Sequence, residues 1–205
     1  MRGEKPTPAW CSRHLPLAYQ ADQASNVTSI HAKKQELAAI GRHLVDHEQY
    51  LILATADCDG HPWASPLWYA HAGYREYLWV SSPDSRHSRN IEVRPQVSIV
   101  IFDSSAPPSG AQAVYISGAA VVTTGSDLDR SVEIYSRRSQ ELGLPEWTPA
   151  MCRASARVRL YRAIASQQFV LSPDVVDVRV PVTLTGAVPS GGMAGTEAAV
   201  QGKDA

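Results

Sequence analysis

Hydroxyl and basic side chains are concentrated in one short turn of the sequence, between two stretches predicted to be strands. The segment SSPDSRHSRN, residues 81–90, contains four serines, two arginines and one histidine. Such donors at the start of a helix can bind an anion, because hydroxyls, cationic groups and free N–H groups all donate to phosphate or carboxylate oxygens. The alternative is a solvent-exposed turn in which Ser85 only caps a helix.

The composition excludes several classes of partner. With 44% hydrophobic and 19% charged residues, the 205-residue chain resembles an ordinary soluble globular protein. Its formal net charge of −1 provides no general attraction to nucleic acid or to an anionic membrane. No apolar run is long enough to span a bilayer and residues 1–16 lack the apolar core of a signal peptide, so we expect a cytoplasmic protein. The three cysteines, widely spaced and odd in number, fit a reducing compartment (Cys11, Cys58 and Cys152).

The sequence divides into an arm, a folded domain and a tail. Residues 1–28 contain three prolines and no periodicity, which predicts an arm packed on the domain or on a partner subunit. Residues 29–182 form the predicted domain. Residues 183–205 are predicted to be a disordered tail, because the sequence from residue 186 is rich in glycine and nearly free of large apolar groups.

Within the domain, apolar stretches predict six or seven antiparallel strands, over 50–56, 62–70, 77–82, 96–103, 111–124, 157–171 and 176–182. The Asp-Gly pair in residues 57–61 marks a hairpin turn, and Gly118 marks a bulge or bend. Helices are predicted over 31–49, after Ser85, and over 126–141 with Ser126 as the N-cap. The pattern predicts a mainly β (α+β) fold, a small closed or split antiparallel β-barrel with peripheral helices.

Three motifs in this order resemble the pyridoxamine phosphate oxidase-like, FMN-binding split-barrel superfamily. They are ATADCDGHPWASPLWYA, then LWVSSPDSRHSRNIEVRPQVSIVIFD, then AVYISGAAVV, and the resemblance covers roughly residues 35–172. It implies a homodimer that binds FMN, or in some members a deazaflavin or haem, in grooves at the dimer interface.

The resemblance also implies a set of cofactor-binding residues. Val80, Ser81, Arg86 and His87 match positions that hold the cofactor phosphate, and Ser82 and Ser85 belong to the same turn. Ser65, Pro66, Leu67 and Trp68 match the strand that borders the flavin ring, although Leu67 and Trp68 are equally typical of core residues. Gln112 matches a flavin-contacting glutamine after a one-residue slip.

Several family features are missing. True pyridoxamine phosphate oxidases have Arg near Ser65, Lys near Ala70 and Lys where this chain has His87, and the C-terminal residues that serve the vitamin have no counterpart. Oxidation of vitamin B6 is therefore not expected. The resemblance implies an FMN-dependent oxidoreductase that transfers hydride or electrons to or from a small organic substrate. The alternatives are a deazaflavin-dependent reductase and a non-catalytic flavin- or haem-binding carrier or sensor.

No catalytic residue and no metal site can be named from the sequence. His43 and His47 are four residues apart on a predicted helix, a spacing that can bind zinc, but the motif lacks a glutamate after the first histidine and a third ligand. Packed or solvated histidines are the better interpretation.

Overall fold

A computed structural model describes residues 17–185 of the chain, with side chains described from residue 31 onward. The helices are α1 (Leu17–His47), α2 (Arg86–Val93) and α3 (Gly125–Glu141). The strands are β1 (Tyr50–Ala56), β2 (Pro62–Trp68), β3 (Ala70–Ala72), β4 (Glu76–Ser81), β5 (Gln96–Phe102), β6 (Ala113–Val122), β7 (Arg159–Leu171) and β8 (Arg179–Pro181). Two 3-10 turns cover Pro108–Gly110 and Pro149–Cys152. The predicted antiparallel α+β architecture is confirmed.

One bent strand closes the sheet into a split barrel. The strand order is β2-β1-β5-β6-β7-β4-β3, and β8 pairs with β7. β2 and β3 are separated only by Tyr69, yet β2 pairs with β1 while β3 pairs with β4. The chain from Pro62 to Ala72 therefore joins both ends of the sheet. Within residues 17–185, β2 and β4 form no ladder with each other, and we call the gap between them the seam.

The barrel contains the larger of two hydrophobic clusters. Leu51 and Leu53 of β1 and Ile99 and Ile101 of β5 alternate with exposed residues, so one face of each strand lines this core. The second cluster lies on the other side of β4 and is covered by α3; it includes Leu78, Leu128, Val132, Tyr135 and Leu160. The two sides of β4 therefore face different surroundings.

The predicted bend at Gly118 is confirmed. The register between β6 and β7 shifts between Ser117 and Gly118, and Ser166 is the extra residue on β7. A Cβ atom at Gly118 would collide with the carbonyl oxygen of Ile164. Glycine is therefore needed here because the neighbouring backbone approaches too closely for any side chain.

Three predicted boundaries need correction. α1 begins at Leu17, so residues 17–28 of the predicted arm are helical, whereas residues 1–16 lie outside the described part. Thr124 rather than Ser126 is the N-cap of α3, because Gly125 in the left-handed region (φ 57°) turns the chain into the helix directly after β6. Leu184, placed in the predicted tail, is only 3% exposed and packs against Gly41. The tail therefore starts later than predicted, and residues 186–205 lie outside the described part.

No helix within residues 17–185 combines the length and the apolar character that crossing a membrane requires.

Candidate functional site

Four predicted site residues meet at the seam. His87, from the first turn of α2, lies between the strands: its Nδ1 is 3.1 Å from Ser65 Oγ on β2, and its Nε2 is 2.8 Å from Ser81 Oγ on β4. Ser85 Oγ lies 3.0 Å from the same Nε2. We call Ser65, Ser81, Ser85 and His87 the His87 cluster. The cluster joins β2, β4 and the start of α2, and Ser65 is distant in sequence from the other three residues.

The local sequence explains why α2 begins at this point. Ser85 is the N-cap, and its Oγ accepts the N–H of Ser88 and donates to Ser88 Oγ at 2.8 Å. Further along α2, Asn90 Nδ2 donates to Thr55 Oγ1 at 3.0 Å, which ties the helix to β1. His87, Ser88 and Asn90 are all buried, so α2 turns these three residues toward the barrel while its charged residues stay exposed.

The His87 cluster is electrically neutral at neutral pH. Burial lowers the pKa of His87 below its usual value. In the neutral ring one nitrogen donates and the other accepts, and the adjoining serine hydroxyls can rotate to match either tautomer. Ser65, Ser81 and His87 are each 8% exposed. The cluster is therefore a satisfied set of neutral hydrogen-bonding groups near the protein surface.

Arg86, predicted to contact the phosphate, is not part of this cluster. Its guanidinium lies 4.6 Å from the centre of the Trp63 ring and 3.9 Å from Asp57 Oδ2, both in the β1–β2 hairpin. Another arginine, Arg89, donates to the Asp84 carbonyl oxygen within the loop before α2. The cationic groups of the turn thus point away from the seam in this structure.

The predicted ring-binding residues of β2, and Val80 of the predicted phosphate site on β4, face different surroundings. Leu67 packs against the barrel core, while Trp68 and Val80 pack against the α3-covered cluster, with Trp68 edge-on to Tyr135 at 4.6 Å. Pro66 is exposed. β2 is an edge strand that pairs only with β1, so its other row of backbone N–H and C=O groups is free of ladder bonds within the described residues.

Ser82 and Gln112 are not brought to the His87 cluster. The Ser82 hydroxyl accepts the N–H of Asp84, which stabilises the turn before α2. Gln112 precedes β6 at the end where β6 pairs with Val170, whereas Ser81 pairs with Arg159 at the opposite end of β7. Because a ten-residue strand is roughly 33 Å long, Gln112 is remote from the cluster in its own chain.

Sequence reasoning missed a second histidine cluster, which is half-buried. His71 Nε2 lies 3.1 Å from Asp46 Oδ1, and Tyr74 OH donates to Asp46 Oδ2 at 2.9 Å. The His71 and Tyr74 rings are stacked with centroids 4.9 Å apart. We call Asp46, His71 and Tyr74 the Asp46 cluster. The three residues come from α1, β3 and a turn, and no spacing in the sequence links them.

The donors at the seam fit a phosphate monoester. Such an anion accepts several hydrogen bonds, and the cluster supplies three hydroxyls and one imidazole. The first-turn N–H groups of α2, at Arg86 and His87, have no intrahelical acceptor and add the positive end of the helix dipole. The free edge of β2 offers backbone donors and acceptors of the kind that the polar rim of a flavin needs.

Solved structures with similar folds include haem-binding proteins. A heme binding protein from Mycobacterium smegmatis superimposes with a TM-score of 0.57 and 18% identity, over 72% of this chain and 57% of that chain. The chain thus spans little more than half the length of that protein. HutZ, the heme storage protein from Vibrio cholerae, gives a TM-score of 0.52 and 22% identity, over 63% of this chain and 90% of that chain.

A putative 5-nitroimidazole antibiotic resistance protein from Bacteroides thetaiotaomicron gives a TM-score of 0.52 and 10% identity, over 63% of this chain and 80% of that chain. At these identities the likeness establishes the shared fold alone. No curated protein matches the sequence. The family model described as pyridoxamine 5'-phosphate oxidase matches residues 41–166, more than half of the chain. The chain therefore belongs to the pyridoxamine 5'-phosphate oxidase family.

Proposed function

We propose that this protein is an FMN-dependent oxidoreductase that acts on a small organic substrate as a homodimer. The observation that carries the proposal is the convergence of Ser65, Ser81, Ser85 and His87 at the seam. These groups come from β2, β4 and the start of α2, the three places that the family resemblance assigns to the cofactor phosphate and ring edge.

In this proposal the His87 cluster anchors the FMN phosphate. Ser81 and Ser85 donate their hydroxyl protons to the anion, and His87 donates an N–H while its other nitrogen stays bonded to Ser65. A hydrogen bond to a charged acceptor contributes about 1.5–3 kcal/mol. Two or three such bonds favour FMN over riboflavin, which has no phosphate.

The strand beside the anchor orients the ring. The free edge of β2 presents the backbone groups of alternate residues, which would pair with the polar rim of the flavin. The bound flavin supplies the hydride or electron transfer, and the protein contributes binding, orientation and exclusion of water. The departures at Ser65 and His87 remove charged groups of the vitamin B6 enzymes, so we propose a different small-molecule substrate.

The dimer in the proposal forms through the outer face of the barrel. β1, β5 and β6 contain no charged residue, and apart from Gln96 their outward side chains are small, apolar or aromatic. Within the described residues no helix covers this face, whose exposed members include Tyr50, Phe102 and Val121. An apolar face depleted of charge is typical of a homodimer interface. A second subunit would also bring Gln112 to a His87 cluster, since within one subunit the two lie at opposite ends of the sheet.

The proposal is tested by measuring FMN binding and the mass of the protein in solution. We expect a dimer of twice the 22.2 kDa subunit mass and stoichiometric FMN binding, seen as quenching of flavin fluorescence. The double variant Ser65→Ala/Ser81→Ala should weaken FMN about tenfold or more and leave riboflavin unchanged. Ser105→Ala, which changes an exposed loop serine bonded to Asp103, is the matched control. Equal losses for both ligands, or FMN binding by a monomer, would contradict the proposal.

Haem is a second candidate ligand. His47 lines a cavity of about 450 Å³ whose other walls combine Tyr50, Ile52 and Phe102 with the polar Glu48, Gln49 and Ser104. A histidine beside aromatic and aliphatic side chains suits haem ligation, and two similar structures are of haem-binding proteins. The absorption spectrum separates the candidates. A Soret band after haem addition that is lost in His47→Ala would replace the FMN proposal, whereas flavin bands alone would support it.

A further inference from the structure

We infer that Asp57 and Trp63 form a holding site for the Arg86 guanidinium, and that a bound phosphate must draw Arg86 away from them. Asp57 and Trp63 are thus positioning residues that set the affinity of the anion site. The inference rests on the proposed function, because it concerns the same site. Neither residue belongs to the His87 cluster.

The geometry of the hairpin supports a fixed holding site. Asp57 Oδ1 accepts the N–H groups of Asp59 at 3.1 Å and His61 at 2.9 Å, and Asp57 Oδ2 is 3.2 Å from His61 Nδ1. The turn therefore holds this carboxylate in place independently of Arg86. The hydrogen bonds from His61 also lower the pKa of Asp57, which keeps the carboxylate ionised at neutral pH.

Arg86 is only weakly held in its position over the hairpin. It is the first residue of α2 and the chain neighbour of His87, yet its guanidinium lies over Trp63 beside Asp57. The Arg86 side chain is 44% exposed and its distance to the Asp57 oxygen is 3.9 Å, so this contact is a weak surface ion pair. A phosphate at the seam, with two negative charges and several oxygens, offers a guanidinium stronger hydrogen bonds.

Competition for one guanidinium has a measurable consequence. Because the Asp57 carboxylate stabilises the unbound state, its removal should strengthen anion binding rather than weaken it. We expect Asp57→Asn to lower the dissociation constant of FMN about two- to fivefold, the range of a weak surface pair. Asparagine retains an oxygen that accepts the turn N–H groups, so the hairpin should keep its conformation. Trp63→Leu, which removes only the cation–π contact, should act in the same direction and less strongly.

The experiment is a double-mutant cycle on FMN affinity, measured by fluorescence quenching at low ionic strength. The variants are Asp57→Asn, Arg86→Ala and the double variant, with riboflavin as the ligand that lacks phosphate. Asp59→Asn is the matched control, because it removes an exposed carboxylate from the same turn without touching Arg86. We expect Arg86→Ala to weaken FMN about ten- to a hundredfold and to abolish the gain from Asp57→Asn, and Asp59→Asn to have little effect.

The outcomes separate the inference from the proposed function. If FMN binds and Asp57→Asn leaves its affinity unchanged or lowers it, the holding site is wrong and the phosphate anchor stands. The gain must not persist in the Arg86→Ala background, and Asp59→Asn must not produce the same gain. Either gain would show that the negative charge repels the phosphate directly and not through Arg86, and the inference would again be wrong. If neither the wild type nor any variant binds FMN, both the proposed function and the inference are overturned.

Discussion

The barrel contains two shielded histidines that differ in their partners, His87, which is 8% exposed, and His71, whose side chain is 19% exposed. Burial lowers the pKa of both His87 and His71. His87 has a hydroxyl partner on each ring nitrogen, from strands on either side of the seam. His71 has the Asp46 carboxylate on Nε2, and its Nδ1 is buried without a hydrogen-bond partner in the described residues.

The difference in partners indicates different roles. Serine hydroxyls are neutral and can rotate, so the bonds of His87 can be exchanged for bonds to an incoming anion at small cost. Asp46 is a charged acceptor that also receives the Tyr74 hydroxyl, while its backbone carbonyl accepts from Arg138 of α3. The Asp46 cluster joins α1, β3 and α3 and has no spare donor for a ligand. We therefore expect His87 to affect binding and Asp46 to affect stability.

The largest expected effect is on FMN affinity at the seam. His87→Ala removes one donor to the phosphate and should weaken FMN by about 1.5–3 kcal/mol, roughly ten- to a hundredfold. His71→Ala, which removes the half-buried histidine away from the seam, should leave FMN affinity unchanged. The measurement is fluorescence titration of both variants with FMN and riboflavin. Similar losses in the two variants would show that burial of a histidine, and not its place at the seam, determines the effect.

For the free energy of unfolding, we expect the larger effect at the Asp46 cluster. Asp46→Ala leaves the Tyr74 hydroxyl and the His71 N–H without their acceptor, and should lower the free energy of unfolding by about 1–2 kcal/mol. Asp59→Ala, a change of an exposed turn carboxylate, should lower it by less than about 0.5 kcal/mol. Urea denaturation followed by circular dichroism measures both. If Asp46→Ala is as mild as the control, the cluster does not hold α1 to the barrel.

The fold could be predicted because its signals are local. The Asp-Gly turn and the alternation of apolar residues define the β1–β2 hairpin, whose observed register pairs Ala56 with Pro62. Gly118 predicted a bulge or bend, which the register shift between Ser117 and Gly118 confirms, and glycine is needed there because the Ile164 carbonyl approaches too closely for a side chain. What could not be predicted is the closure at Tyr69, since pairing β2 with one strand and β3 with another depends on the path of the whole sheet.

Part of the candidate site could be anticipated, because three of its residues are neighbours in the sequence. Ser81, Ser85 and His87 lie close in sequence, and Ser65 was added from the family resemblance; the structure brings all four together. The direction of the Arg86 side chain was not predictable, because Asp57 and Trp63 belong to a distant hairpin that attracts it. The Asp46 cluster was missed because its three residues follow no motif.

The pH dependence of FMN affinity sharpens the comparison further. In the free protein the pKa of His87 lies below its usual value, and a bound phosphate should raise it. Binding then takes up a proton between the two pKa values. The contribution of His87 is therefore full below the free-protein pKa and is lost as pH rises through the bound-state value. Protonation of the phosphate, with a pKa of about 6, opposes this gain at the acid end.

Affinity should thus be highest in mildly acidic to neutral buffer and decline above it. Titrations from about pH 5.5 to 9 should show that decline in the wild type. His87→Lys should flatten it, because lysine remains charged, and His87→Ala should flatten it at lower affinity. His71→Gln is the control and should keep the wild-type slope. Identical slopes in all four proteins would show that His87 does not contact the phosphate.

The smallest expected effect is the pH dependence of stability without ligand. Both histidines have a lowered pKa in the folded protein, so the unfolded chain binds more protons as pH falls through about 6.5, the ordinary histidine value. The free energy of unfolding should decline over that range and level off below the folded-state pKa values.

His71→Gln and His87→Gln should each remove part of the decline. FMN separates them, because a bound phosphate raises the pKa of His87 alone, and once that pKa exceeds the unfolded-chain value of about 6.5 the sign of its contribution reverses. In saturating FMN, urea denaturation between pH 5.5 and 7.5 should therefore show the acid decline from His71 in the His87→Gln variant and lose it in the His71→Gln variant. If FMN leaves the slope of every variant unchanged, the two histidines are equivalent structural groups, and the assignment of the seam to phosphate binding is wrong.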